Sequence, residues 1–186
     1  FDQMELRYAA HISGDPRLLA DIQANRDIFQ QLAEQTWPGQ GHRMRDVVKI
    51  AVYATLYGAG LSLVTGMLGL TRHEAELFRN GLAARYPVLW TTMRQVQETV
   101  AVTGGVILPR SGWLPTRADK PHVAFNLLVQ GGCRDTFGER LLALDQAGLT
   151  PMLRMLIHDE VVLSVPREDV DNVTHTLCAR MPITTE

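Results

Sequence analysis

Apolar residues recur at helical spacing through most of the chain, and glycines and prolines mark where each run stops. "MELRYAAHIS" follows a strand-like opening and turns helical, and "SGDP" breaks it at Gly14 and Pro16. "RLLADIQANRDIFQQLAEQTW" predicts two helices with a break near Asn25, the second ended by "PGQG". "HRMRDVVKIAVYATLYG" predicts a helix that stops at Gly58. Thr71 and Glu74 stand at capping-box spacing at the head of "TRHEAELFRNGLAARYP", which stops before Pro87. "VLWTTMRQVQETVAVTGG" runs as a helix to its paired glycines, and "ILPRSGWLPTRADKP" reads as a turn or irregular hairpin. A long helix over "HVAFNLLVQGGCRDTFGERLLALDQAG", two short buried strands around "HDE" and an amphipathic helix over "REDVDNVTHTLCARM" complete the chain. Strands at both ends with helices between them predict an α+β fold: a small antiparallel sheet interrupted by an all-α insertion.

Composition narrows the setting. With 186 residues and 46% hydrophobic side chains the chain can bury a real core. Cys133 and Cys178 form no disulfide or metal framework, and no signal peptide or membrane-spanning apolar run is present, which points to a reducing, cytoplasmic compartment. A net charge of −2 argues against a general polyanion binder. Lys49 and Lys120 are the only lysines among 18 basic residues; arginine suits phosphate, but a GC-rich coding sequence produces the same bias.

Two features carry chemistry. In "IHDEVV", residues 157–162, three ionisable side chains stand between apolar runs, an expensive placement unless a metal, a partner charge or a reaction compensates. Arg45, Lys49, Tyr53 and Tyr57 recur every four residues. Each step advances about 6 Å and drifts only about 40° around the helix, so the four line one face. Two cations followed by two aromatics match an anionic and then a ring-like partner, the polarity of a nucleoside triphosphate. A solvated face with two half-buried tyrosines is the other reading of the same stripe. Gly58, directly after it, allows close backbone approach.

Taken together, "FDQMELR" (1–7), "RDVVKIAVYATLYG" (45–58), "NLLVQGGCRD" (126–135) and "HDE" (158–160) resemble, in order and spacing, the motifs of family A DNA polymerases, the DNA polymerase I group of bacteria and phages. "AAHISGDPRLL", "RDIFQQLA" and "RYPVLW" extend the likeness over nearly the whole chain. The resemblance implies a palm over residues 1–14, helical fingers over 15–102 and a returning palm over 103–186, cut short at both ends. It implies template-directed addition of dNTPs to a primer 3′ end with two Mg2+ ions, or Mn2+, and primer-template DNA and dNTPs as partners of a monomer without a membrane anchor. Such chemistry uses carboxylates to hold two cations at the attacking and leaving oxygens.

Residue by residue, the likeness makes Asp159 a metal-bridging carboxylate, Glu160 a nearby acid and His158 a contact to the primer strand. The second metal-binding aspartate of the family falls immediately before Phe1, which would offer a backbone carbonyl to a metal; Asp2 falls at the family's serine. Glu5 would close the space of a ribose 2′ hydroxyl and meet Tyr57. Gln3, Arg45, Lys49 and Tyr53 join them as dNTP-binding residues, with Lys49 also counted as catalytic. Asn126 and Gln130, and His122 one turn earlier where arginine is usual, would face the DNA minor groove. Acceptors recur there in every correct pair. Tyr53 stands for the commoner phenylalanine, Ala54 for glycine, and Phe29 for a triphosphate-contacting histidine. Asp135 matches a family acid and equally fits a structural salt bridge. Trp37, Trp90 and Trp113 read as core or cap residues. The related alternatives are a single-subunit RNA polymerase, against which Glu5 and Glu160 speak, and a non-catalytic nucleic-acid-binding fragment.

Overall fold

One buried carboxylate starts two helices. Asp15 caps α2 (Pro16–Gln23), accepting from the Arg17 and Leu18 N–H groups at 3.1 and 3.0 Å. Its other oxygen accepts from the Val88 and Leu89 N–H groups at 3.0 and 3.1 Å in the first turn of α7 (Pro87–Thr103). Each helix carries proline at its first position, where a missing N–H costs nothing. Pro87 therefore opens α7 as well as following the end of α6 (Arg72–Arg85).

The structure, a computed structural model, describes residues 3–116, 119–157 and 160–181. Besides α2, α6 and α7 the described helices are α1 (Met4–Ser13), α3 (Ile28–Thr36), α4 (Gly41–Leu56), α5 (Leu61–Leu68), α8 (Ala124–Gln146) and α9 (Val170–Arg180). The break between α2 and α3 falls where expected, with Asn25 at φ +50°. The Thr71–Glu74 capping box is formed in both directions. Helix α5 is an addition to the sequence expectation, which leaves "LSLVTGML" unassigned. Val64 is buried with Leu61 and Leu68 packed beside it, but Leu63 and Met67 are apolar and exposed, so the stripe is blurred in the sequence.

The strands form two separate antiparallel hairpins, β1 (Gly105–Leu108) with β2 (Gly112–Pro115), and β3 (Leu153–Ile157) with β4 (Glu160–Leu163). Helices with small antiparallel sheets bear out the α+β class, but the single interrupted sheet of the sequence reading is two two-stranded sheets among the described residues. The expected opening strand falls on Phe1 and Asp2, outside the described residues. From Met4 the chain is helical, so Glu5 sits in the first turn of α1 and not at a strand end. The strands flanking 158–159 are also less buried than their composition suggests. Met155 is 54% exposed, and Leu156, Ile157 and Val162 are exposed too.

The main core packs α1 to α7 around Phe29, Phe78, Tyr86 and Leu32 and takes in Phe125, Val129 and Cys133 from the first half of α8. Two glycines make that junction. A β-carbon on Gly132 would lie 2.0 Å from the Tyr8 ring of α1, and one on Gly131 would lie 2.6 Å from Leu108 of β1. The adjacent glycines that look unfavourable inside a helix are thus a notch in which α1 and β1 seat. Smaller clusters hold β1 to α7 and α8 through Val100, Val106, Leu108 and Ala124, and hold the end of α8 to α9 through Leu144, Leu149 and Val173.

Trp37 ends α3 and Trp90 packs against the core, as expected; Trp113 is exposed on β2, contrary to the core reading. Among the described residues no helix is long and apolar enough to cross a membrane.

Candidate functional site

Helix α4 presents Arg45, Lys49 and Tyr53 on one side, with Tyr57 as the residue that caps its end. The Tyr53 and Tyr57 rings lie 6.0 Å apart, and Tyr53 lies 6.0 Å from the ring of Phe29. The Arg45 guanidinium and the Lys49 ammonium stand 5.9 and 6.0 Å from the same Phe29 ring. Phe29 is only 1% exposed. It is the apolar base under the stripe and is not on the surface where a phosphate could reach it.

Arg45 is also held sideways. Its Nε donates to Asp27 Oδ2 at 2.6 Å, and Asp27 caps α3 by accepting from the Gln30 N–H at 2.9 Å. Burial would raise the Asp27 pKa, but the hydrogen bonds from Arg45 and Gln30 outweigh it and hold the carboxyl below its ordinary value. Asp27 is a partner that the sequence reading misses. Its signal was the aspartate three residues before Gln30 at the start of an apolar run, which marks a cap and nothing about Arg45. Lys49 is exposed.

At the end of α4 the stripe meets α1 and α8. The Tyr57 hydroxyl donates to Glu5 Oε2, and Gln130 Nε2 donates to Glu5 Oε1 at 3.3 Å. Burial and then the Glu5 carboxylate push the Tyr57 pKa well above that of an ordinary phenol, so the proton stays on the tyrosine oxygen. The Glu5–Tyr57 meeting anticipated from the sequence is therefore present in the structure. A cavity of about 470 Å³ opens beside it, lined by Gln3, Met4, Glu5, Tyr53, Gln130, Cys133, Arg134 and Phe137. Met4, Cys133, Arg134 and Phe137 had no predicted place there. Only the fold, through the notch at Gly132, brings that face of α8 to Glu5.

Other predicted residues lie farther along α8 and beyond it. His122, in a 3-10 turn (Pro121–Val123), is exposed, and its carbonyl oxygen is the group against which Gly58 packs. The close approach anticipated at Gly58 is thus made by backbone. Asn126 is half-buried, with Oδ1 lacking a hydrogen-bond partner among the described residues. Asp135 accepts from the Arg110 and Ser111 N–H groups at 3.1 and 2.9 Å, from the Ser111 hydroxyl and from Arg134. Those bonds overcome desolvation and hold its pKa at about 2, which makes Asp135 the clamp between the β1–β2 turn and α8. Glu160 is exposed and pairs with Ile157 at the start of β4. Phe1, His158 and Asp159, expected at this site, lie outside the described residues. Among the described residues no group of three or more His, Cys, Asp or Glu side chains converges as a metal site.

The chain as a whole is similar to known proteins. The model of DNA polymerase family A matches residues 1–186. The DNA polymerase of Mycobacterium phage L5 is 26% identical over 92% of this chain and 28% of its own length. The thermostable DNA polymerase I of Thermus thermophilus is 30% identical over 93% of this chain and 23% of its own. The chain thus spans about a quarter of the length of these relatives. The POL domain of Pol1 from M. smegmatis, solved in complex with DNA primer-template and dNTP, superposes with a TM-score of 0.84 at 19% identity, over 97% of this chain and 35% of that one. With the family model matched from first residue to last, the chain belongs to DNA polymerase family A.

Proposed function

We propose that this chain is the fingers and most of the catalytic palm of a template-directed DNA polymerase, with residues 15–102 as fingers and 1–14 and 103–186 as palm. The observation that carries the reading is the hydrogen bond between Tyr57 and Glu5 beside the Arg45, Lys49 and Tyr53 face. Its partners are dNTPs and primer-template DNA, the ligands of the M. smegmatis domain whose fold it shares. It works as a monomer in the cytoplasm.

The roles follow from chemistry and position. The primer 3′ hydroxyl attacks the α-phosphorus of the dNTP, the bond to the β-phosphate oxygen breaks, and pyrophosphate leaves. Lys49, exposed on α4, and Arg45 neutralise the triphosphate, and Lys49 acts at the reacting end. Arg45 must share its guanidinium between phosphate and Asp27, so Asp27 sets the direction from which it reaches. Tyr53 packs against sugar and base. Gln3 and Glu5 line the sugar side, where Glu5 with Tyr57 excludes a ribose 2′ hydroxyl. Asn126, Gln130 and His122 face the minor groove, and His158 the primer strand.

Asp159 and the Phe1 carbonyl are the groups in this chain that would hold Mg2+, or Mn2+, and Glu160 stands alongside as a nearby acid whose exposed carboxylate offers oxygens of the kind magnesium takes. Two bound cations would supply charge stabilisation at the attacking and leaving oxygens. Primer extension by the full-length protein should fall by at least about a hundredfold in Asp159→Ala, a loss typical of removing a group that stabilises transition-state charge. Undiminished extension by that variant would overturn the assignment.

A further inference from the structure

Glu5 is held from two sides. Tyr57 donates to one carboxylate oxygen and Gln130 to the other, the second bond at 3.3 Å. The three side chains come from α1, the end of α4 and α8, so a single carboxylate joins three helices far apart in sequence. The terminal torsion of a glutamate is broad, and one donor leaves the carboxylate free to turn about it. A donor on each oxygen fixes its plane.

The reach of Gln130 is built into the residues that follow it. Gly132 admits the Tyr8 ring, where a β-carbon would stand 2.0 Å from it, and Tyr8 lies one helical turn after Glu5 on α1. Seating Tyr8 in that notch draws the start of α1 against α8 and brings Glu5 within range of Gln130. The Gln130 side chain is exposed, and an amide carries two N–H donors and one acceptor oxygen. The amide nitrogen serves Glu5 and also lies against the Tyr57 hydroxyl, while the amide oxygen is an acceptor for the edge of a base pair.

We propose that Gln130 is a positioning residue for sugar selection. Its amide holds the Glu5 carboxylate in the plane that closes the space of a 2′ hydroxyl, so rejection of ribonucleotides depends on the same group that faces the minor groove. This rests on the polymerase reading above. It assigns Gln130 a role toward the nucleotide sugar in addition to contact with DNA.

The test is single-turnover incorporation of dNTPs and rNTPs by the full-length polymerase from a matched primer end. It compares the wild type, Gln130→Met, Glu5→Ala and the double variant. Methionine has a similar reach to glutamine and no N–H donor. Gln130→Met should lower the preference for dNTP over rNTP about tenfold, the effect expected of a lost hydrogen bond to a charged group. That loss should disappear in the Glu5→Ala background, because the two residues act through one contact. An unchanged sugar preference in Gln130→Met, or an equal loss with and without Glu5, would overturn the inference while leaving the polymerase reading intact. A wild-type protein that extends no primer would overturn that reading, and this inference with it.

Discussion

The backbone of Gly58 lies against the carbonyl of His122: a β-carbon on Gly58 would stand 2.1 Å from that oxygen and 2.7 Å from its carbon. Gly58 also has φ +84°, a conformation that costs an L side chain. The contact joins the end of α4, which carries the Tyr57 hydroxyl, to the turn that starts α8, which carries Gln130.

Gly58→Ala meets both penalties at once and should destabilise the protein by about 2–4 kcal/mol. For a chain of this size that corresponds to a fall of roughly 5–15 °C in the thermal midpoint, measurable by circular dichroism. An unchanged midpoint would mean that the two segments separate without cost.

Asp135 gives a pH signature with a fixed sign. Its pKa in the fold is about 2, against an ordinary value of 3.8, so the folded state favours the ionised form. The contribution is complete above the unfolded value and is lost as pH falls from about 4 towards 2. Asp135→Asn keeps the shape of the side chain and loses the charge. Its stability deficit relative to the wild type, measured by urea unfolding, should be constant between pH 5 and pH 7, to be read as roughly the plateau of the linkage curve. The deficit should shrink on acidification below about pH 4. A gap that widened there would contradict the clamp.

Tyr53 tests the nucleotide face of α4. A hydroxyl at this position can replace an interaction lost when the substrate lacks its 3′ hydroxyl, so the full-length enzyme should discriminate weakly between dideoxy- and deoxynucleotides. Tyr53→Phe should raise that discrimination about tenfold, the worth of one hydrogen bond. Equal selectivity in the two proteins, measured by competitive incorporation, would reject the role.

The legible part of the fold was the part set by local chemistry. Asn25, Gly58, the Thr71–Glu74 box and Pro87 mark helix boundaries through backbone rules that act within a few residues, and each boundary stands where those rules put it. The Glu5–Tyr57 contact spans 52 residues, and family likeness, not spacing, points to it. Contacts that depend on two distant segments left weaker marks. Nothing local tells that Asp27 holds Arg45 or that Gly132 receives Tyr8. The strands at 153–163 misled for a related reason. Apolar β-branched residues signal a strand, but their burial depends on what covers them, and Met155 and Val162 remain exposed among the described residues.

Asp15 has a consequence for how the molecule opens. Because one of its oxygens serves the start of α2 beside it and the other serves the start of α7, reaching the Leu89 amide 74 residues further along the chain, neither end can fray without disturbing the other's cap. The amide protons of Leu18 and Leu89 should therefore exchange with solvent in step, as one cooperative unit, although α2 and α7 are distant in sequence. A single side chain makes unfolding at one end of the helical core audible at the other.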